Sequence, residues 1–509
     1  TFGNSHLNIL VGQTFEKEQY HELFARGNNY PEPYYLQITN AEERDASSYE
    51  STHVLASYLG RLNYDFAGKY LVSATVRYDG SSRLSSEDRW EVFPSFSAGW
   101  RIDQEEFFPV DESIVNLLKI RGSYGVLGNE NIGEYQYMST IARNNMKYSF
   151  GGVPVSGSAI STFTNRNIAW EKKKSTSFGL DLGMFNNKLE FSAEYYKNVS
   201  EDLLYSVPVP ESAGVSNTAV TMNAASMENS GLEFSLTYRN NDNELKYEVS
   251  ANLTTTKNEV TSLGFGTDKY ITGAYATYVG QEIGQFYGWE YEGIFRTQDQ
   301  IDAHAVQNGA QVGDCAYKDQ NGDGLINAED QVVLGSGLPK VNFGLSARIE
   351  YKGFDLSVST FGALKYKVSD DIENSLHGCY GWANKSVDML EANRWSEDGS
   401  TYISSTPRTY VDRPQGADFN WNDLFSERMI QNANYWKIAN VELGYNFNDD
   451  WFKDVVSGVR LYVSGQNLAT ITKYKGYNVD YAGGTFTPGY NFCSFPTPRT
   501  FMVGLRASF

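Results

Sequence analysis

Apolar and polar residues alternate with a period of two in run after run, and the runs come in pairs joined by very short turns. From Val341 to Tyr351, the residues Val341, Phe343, Leu345, Ala347, Ile349 and Tyr351 share one face, while Asn342, Gly344, Ser346, Arg348 and Glu350 share the other. Side chains one apart in an extended strand point to opposite faces, so this run predicts a strand with one apolar and one polar side. After Lys352-Gly353 the pattern resumes, with Phe354, Leu356 and Val358 against Asp355, Ser357 and Ser359. The same grammar joins 54–66 to 69–79 through Ala67-Gly68, and 176–185 to 188–200 through Asn186-Asn187. Asn-Asn and residue-Gly pairs tolerate the positive φ values of tight hairpins. Two further pairs are 231–239 with 245–256 and 440–447 with 459–468.

Between pairs the connections are mostly long: residues 15–52, 127–168, 201–228, 258–340, 368–430 and 469–497. Short turns and long loops therefore alternate, which is the signature of an up-and-down membrane barrel with short periplasmic turns and long extracellular loops. The expected fold is all-β, a transmembrane antiparallel up-and-down β-barrel, with about fourteen strands near 5–13, 53–66, 69–80, 91–103, 116–126, 170–185, 188–200, 229–240, 244–257, 340–352, 354–366, 434–447, 457–468 and 498–509. Residues 103–116 form the one longer turn on the periplasmic side and leave room for a short helix. The last strand alternates Phe501, Val503, Leu505, Ala507 and Phe509 against Thr500, Met502, Gly504, Arg506 and Ser508, ending on an aromatic as outer-membrane sorting signals do.

Composition sharpens this picture. No run of about 18 apolar residues exists, so a membrane-spanning helix is excluded, whereas a barrel strand needs only every second residue apolar. Tyr is abundant at 36 against 29 Phe and 9 Trp, and Tyr58, Tyr64, Tyr70, Tyr78, Tyr195 and Tyr445 lie on the apolar face mostly near strand ends, where a bilayer interface would fall. The competing class, a soluble surface glycan-binding β-protein, would need polar residues on both strand faces or a second hydrophobic layer. A propeller would repeat every 40 residues or so, and no such repeat is present. A net charge of −20 argues against nucleic acid as a partner, because phosphate binding needs a basic face.

Candidate chemistry is sparse. Residues Asp319 to Asp330, DQNGDGLINAED, match a calcium loop: Asp319, Asn321, Asp323, the Leu325 carbonyl, Asn327 and Asp330 occupy positions 1, 3, 5, 7, 9 and 12, with Gly324 at position 6. Asp replaces the longer bidentate Glu at position 12, which lowers Ca2+ affinity or admits the smaller Mg2+. The loop 368–430 carries Tyr380, Trp382, Trp395, Trp421 and Phe425 among eleven acidic and five basic residues. Such rings could stack on sugar faces while carboxylates accept their hydroxyls, so Tyr380, Trp382, Trp395 and Trp421 are candidate substrate contacts. The adjacent acids Glu105-Glu106 read as a solvated pair in a turn. Three cysteines, Cys315, Cys379 and Cys493, leave room for one bridge at most, and five His form no metalloprotease or nucleophile motif, so no enzyme is expected.

Several stretches resemble the SusC/RagA family of TonB-linked outer-membrane transporters of Bacteroidota: RYDGSSRL from Arg77, VFPSFSAGWRI from Val92, LKIRGSYGVLGN from Leu118, NIAWEKKKSTSFGLD from Asn167, NSGLEFSL from Asn229, SGQNLATITKYKGYNVD from Ser464 and PRTFMVGLRASF from Pro498. The resemblance implies a barrel of twenty-two strands, of which residues 1–509 would be the C-terminal part, with the N-terminal plug, TonB box and first strands outside them. It further implies import of oligosaccharides or peptides across a Gram-negative outer membrane, drive by TonB with ExbB and ExbD, and a SusD/RagB-like lipoprotein lid, with transporter–lid pairs able to dimerise. A siderophore- or cobalamin-type TonB-dependent receptor is the neighbouring alternative.

Overall fold

The structure is a computed structural model and describes the chain except residues 1–2, 32–34, 161, 210–211, 213–218, 265, 378–383, 388, 390–393, 410–418, 448–457, 481–482, 493 and 509. Fourteen strands form a meander in which each hydrogen-bonds to the next in chain order. They are β1 (Ser5–Asn28), β2 (Glu43–Phe66), β3 (Tyr70–Ser81), β4 (Trp90–Arg101), β5 (Val115–Asn129), β6 (Glu171–Met184), β7 (Leu189–Pro208), β8 (Ala219–Asn240), β9 (Leu245–Thr255), β10 (Val341–Tyr351), β11 (Phe354–Leu364), β12 (Tyr435–Asn446), β13 (Gly458–Thr472) and β14 (Thr500–Ser508). Every expected strand is present, in order. The short turns take the hairpin conformation that the sequence called for: Ala67 and Gly68 both have positive φ, as do Lys352 and Gly353, and Asn186 and Asn187. Residues 102–104 make a single 3-10 turn where a short helix was expected.

By compactness the chain divides into two units, described here one at a time. In the first, residues 1–108, 119–178 and 197–227, the register aligns Ser5, Phe66, Tyr70, Trp100 and Ile120 across β1 to β5. A second aromatic group, Tyr58, Tyr78 and Trp90, sits further along, with Trp90 stacked 4.9 Å from Tyr78 and 6.1 Å from Tyr58. Gly80 makes this possible, since a Cβ there would meet the indole at 2.5 Å. Tyr70 and Tyr78 are eight residues apart on β3, or roughly 26 Å along the strand, the scale of an outer-membrane apolar band.

The stems of β1 and β2 run far beyond the expected 5–13 and 53–66, pairing without interruption out to Asn28 and Glu43. Residues assigned to a loop are therefore a ribbon. Past the apolar band neither face of a strand has to be apolar, so Phe15-Glu-Lys-Glu-Gln loses its alternation while keeping its ladder.

In the second unit, residues 109–118, 179–196 and 228–509, one row reads Tyr247, Ile349, Leu356, Leu443, Val463 and Val503, and the next reads Leu245, Tyr351, Phe354, Tyr445, Leu461 and Leu505. Most of these side chains are exposed, and among the described residues no second sheet covers the Val341, Phe343 and Leu345 face. The opposite face is polar and ionised: the Arg460 guanidinium donates to Asp355 and, at 2.7 Å, to Glu442, and Arg348 pairs with Glu350 at 2.9 Å. A soluble sandwich would bury these apolar rows; their exposure agrees with the expected barrel.

Candidate functional site

Chemistry-bearing residues gather in the long loops of the second unit. Residues 258–340, expected as an irregular excursion, contain a four-stranded sheet of Lys269–Thr272, Tyr275–Tyr278, Gln285–Gly288 and Val332–Gly335, and a separate pair, Tyr291–Ile294 with Cys315–Tyr317. Strands this short give too few alternations to be read from sequence.

Their core is aromatic. Trp289, Cys315, Tyr317, Ile326 and Trp421 pack together, with Tyr291 and Phe419 against them. Trp421 is 0% exposed, its indole N–H donates to the Asn308 carbonyl at 3.0 Å, and its own carbonyl accepts from the Tyr317 hydroxyl at 2.5 Å. The expectation that Trp421 touches substrate is therefore corrected: both ring faces are covered, and the residue pins the loop 419–430 to 315–317. Burial pushes the Cys315 thiol up to about 11 and the Tyr317 phenol well above its usual value. A buried polar node reinforces the same seam: Asp314 accepts from Arg408 at 2.5 Å and from the Asn422 amide at 2.9 Å, while the Asn422 oxygen accepts from the Cys315 N–H at 2.7 Å.

Trp395 differs from Trp421. It is 42% exposed, lies edge-on to Tyr402 with ring centroids 5.5 Å apart, and opens the turn Ser396–Thr401. In that turn Asp398 accepts from the Ser396 hydroxyl at 2.6 Å, the Ser400 N–H at 3.0 Å and the Ser400 hydroxyl at 2.8 Å, which holds its carboxyl at about 2. Tyr380 and Trp382 lie outside the described residues, as do Cys379 and Cys493.

The loop Asp319 to Asp330 is turned in its first half by side-chain to backbone hydrogen bonds. Asp319 accepts from the N–H groups of Gly322 at 2.7 Å and Gly324 at 2.9 Å, Asn321 accepts from Asp323 N–H at 2.9 Å, and Asp323 accepts from Leu325 N–H at 2.8 Å. Gly322 and Gly324 have φ of 75° and 81°. The second half is closed differently: buried Asp330 accepts from Gln320 N–H at 2.9 Å and Asn327 N–H at 2.8 Å, and the Asn327 oxygen caps Glu329. Among the described residues no three His, Cys, Asp or Glu side chains converge as a metal cluster.

Sequence reasoning missed two features. Glu105, read as merely solvated, accepts from the Tyr70 hydroxyl at 2.5 Å, the Trp100 indole at 3.0 Å and Lys69 at 3.3 Å, so it ties the aromatic row to the turn after β4. The Tyr70 and Trp100 hydrogen bonds, with Lys69, hold its carboxyl below the usual range. Phe361 stands on the polar face of β11, exposed among Asn and Ser side chains. Its parity was legible, because it shares a face with Asp355, Ser357 and Ser359.

Comparison with known proteins places this geometry. The family model "TonB dependent receptor-like, beta-barrel" matches residues 1–468. The chain is 32% identical to TonB-dependent receptor P3 of Formosa agariphila, with 100% of this chain and 51% of that protein aligned. It is 30% identical to TonB-dependent receptor SusC of Bacteroides thetaiotaomicron, over 100% of this chain and 49% of that one. Its fold matches the structure of the RagAB peptide transporter with a TM-score of 0.84 at 23% identity, covering 99% of this chain and 53% of that one. The chain spans about half the length of the curated relatives it matches. It belongs to the TonB-dependent receptor family of outer-membrane β-barrels.

Proposed function

We propose that this chain is the C-terminal barrel part of a SusC-like transporter that imports oligosaccharides or peptides under TonB drive, with a SusD-like lipoprotein closing its extracellular mouth, and that it performs no catalysis. The observation that carries the reading is the two-faced strand. Rows such as Ile349, Leu443 and Val463 are solvated by hydrocarbon, and the ion-paired face of Arg460, Asp355 and Glu442 lines the aqueous path. The aromatic-cored loops supply a rigid rim, on which exposed Trp395 is positioned to meet substrate. Transporter–lid pairs that dimerise fit the same reading.

The test is made on the whole protein in its native membrane. Its deletion should abolish growth on one class of oligosaccharide or peptide, TonB depletion should abolish the same growth, and a lipoprotein should copurify with it. Growth on that nutrient that survives TonB depletion would sink the coupling.

The self-bonded loop Asp319 to Asp330 is further proposed to take Ca2+, or Mg2+, through Asp319, Asn321, Asp323, the Leu325 carbonyl and Asn327, whose oxygens keep lone pairs beyond their present bonds. Asp330 would join only by giving up the N–H bonds that close the loop. Calcium should then protect residues 319–330 from hydrogen exchange in the wild type and not in Asp323→Ala; equal protection with and without the ion would remove the proposal.

A further inference from the structure

We propose that Asn321 is a site of self-catalysed deamidation, a covalent change promoted by Asp319 and the Asp323 N–H. Asn followed by Gly occurs at two places in the chain, Asn308-Gly309 and Asn321-Gly322. The reaction begins when the backbone nitrogen of the following residue attacks the Asn carboxamide carbon, and glycine, with no Cβ, hinders that approach least. Both reacting groups belong to adjacent residues, so the first step needs nothing from outside the loop.

The loop supplies a base and an oxyanion donor. The Gly322 N–H donates to Asp319 Oδ1 at 2.7 Å, so a carboxylate is in place to take the proton of the attacking nitrogen. The Asn321 Oδ1, on which negative charge grows during the attack, accepts from the Asp323 N–H at 2.9 Å, as an oxyanion-stabilising donor would. Asn321 Nδ2 donates to Asp323 Oδ2 at 3.1 Å, which fixes the plane of the carboxamide.

Atoms balance without any oxidant or metal. The Gly322 nitrogen bonds to Asn321 Cγ, the Cγ–Nδ2 bond breaks, and the amide leaves as ammonia with the hydrogen that Gly322 gave up through Asp319. One water then opens the five-membered succinimide at either carbonyl. Opening at Cγ leaves aspartate at position 321, and opening at the main-chain carbonyl leaves isoaspartate.

Isoaspartate routes the main chain through the former side chain and lengthens it by one carbon. The Gly324 carbonyl and the Ile326 N–H, which bond Val306 at 2.8 and 3.0 Å, then lose register, so ageing at one residue loosens the loop from residue 306. Asn308-Gly309 lacks the arrangement. The Ala310 N–H closes that turn onto the Gln307 carbonyl at 3.0 Å, and among the described residues no carboxylate accepts from the Gly309 N–H.

The test is incubation of the whole protein in detergent at neutral pH, with a chelator so that no cation competes for Asp319, followed by tryptic mass spectrometry. Both sites are read at once because they fall on separate peptides, 297–318 and 319–340. Asn321 should deamidate several-fold faster than Asn308. Asp319→Asn keeps an acceptor but is no base, and it should slow the reaction at 321 roughly tenfold or more, as loss of a positioned general base does; the variant must keep the heat-resistant gel band of the folded barrel. In aged wild type, hydrogen-exchange protection at Ile326 should fall in step with isoaspartate at 321. Equal rates at 321 and 308, or a rate unchanged or raised in Asp319→Asn, overturns the assisted site, and full protection at Ile326 in the isoaspartate form overturns the loosening. None of these outcomes depends on whether the loop takes a cation or on the import reading.

Discussion

The row of Ile349, Leu443, Val463 and Val503 and the cluster of Trp289, Tyr317 and Trp421 are about equally apolar, yet the first stands uncovered and the second is sealed. Both belong to the same unit of one chain. The strand row needs no protein partner because hydrocarbon covers it, and its backbone groups are satisfied by the neighbouring strands. The loops have no such solvent. They must bury apolar area against themselves, and they do so with large aromatic rings whose polar ends still find partners, as the Trp421 indole does at the Asn308 carbonyl. Thus the bilayer stabilises the strands from outside, while the loops carry a miniature globular core.

The sharpest way to break this contrast is to hollow the loop core. Trp421→Ala removes a fully buried indole, and large-to-small changes of this kind cost about 3–5 kcal/mol. Residues 315–317 and 419–430 should lose hydrogen-exchange protection, while β12 and β13 keep theirs. If exchange rises equally in the strands, loop and sheet are one cooperative body and the comparison fails.

Next in size is a charge placed on each face of the sheet. Val441 lies in the apolar row with Val358 and Gly465, and Val441→Arg should cost about 2–4 kcal/mol in bilayer refolding, the scale for arginine at mid-depth. Ser357→Arg, one register position away on the polar face, should stay within about 0.5 kcal/mol as an ordinary surface change does. Equal penalties would mean that the two faces meet the same solvent.

This same division explains what could be read beforehand. Where lipid imposes apolar parity, as from Val341 to Tyr351, the strands, their order and the turns at Lys352-Gly353 were visible in the sequence. Where lipid ends, the signal ends too: Glu16, Lys17 and Glu18 pair with Leu55, Val54 and His53 along a continuous backbone ladder that no apolar alternation marks. Trp421 was misjudged because its partner Tyr317 is 104 residues away, and an aromatic in an acidic loop looks exposed until that partner is known. Phe361 is legible only by its parity, which sets a ring among the serines of the polar face.

The smallest expected effect concerns the rim. Asp398 is held at about 2 by the Ser396 hydroxyl, then by the N–H and hydroxyl of Ser400, so its folded value lies below that of an unfolded aspartate near 3.9. A depressed carboxylate stabilises its turn above the unfolded value and loses that contribution as pH falls through the folded one. The turn Ser396–Thr401 should therefore hold from neutral pH down to about 4 and loosen progressively toward pH 2, read as the exposure of Trp395 to a fluorescence quencher, whereas Asp398→Asn should show a flat profile over that range. The buried indole of Trp421 should not respond in that window unless the whole loop core opens with the turn, which would show that the rim and the core titrate as one.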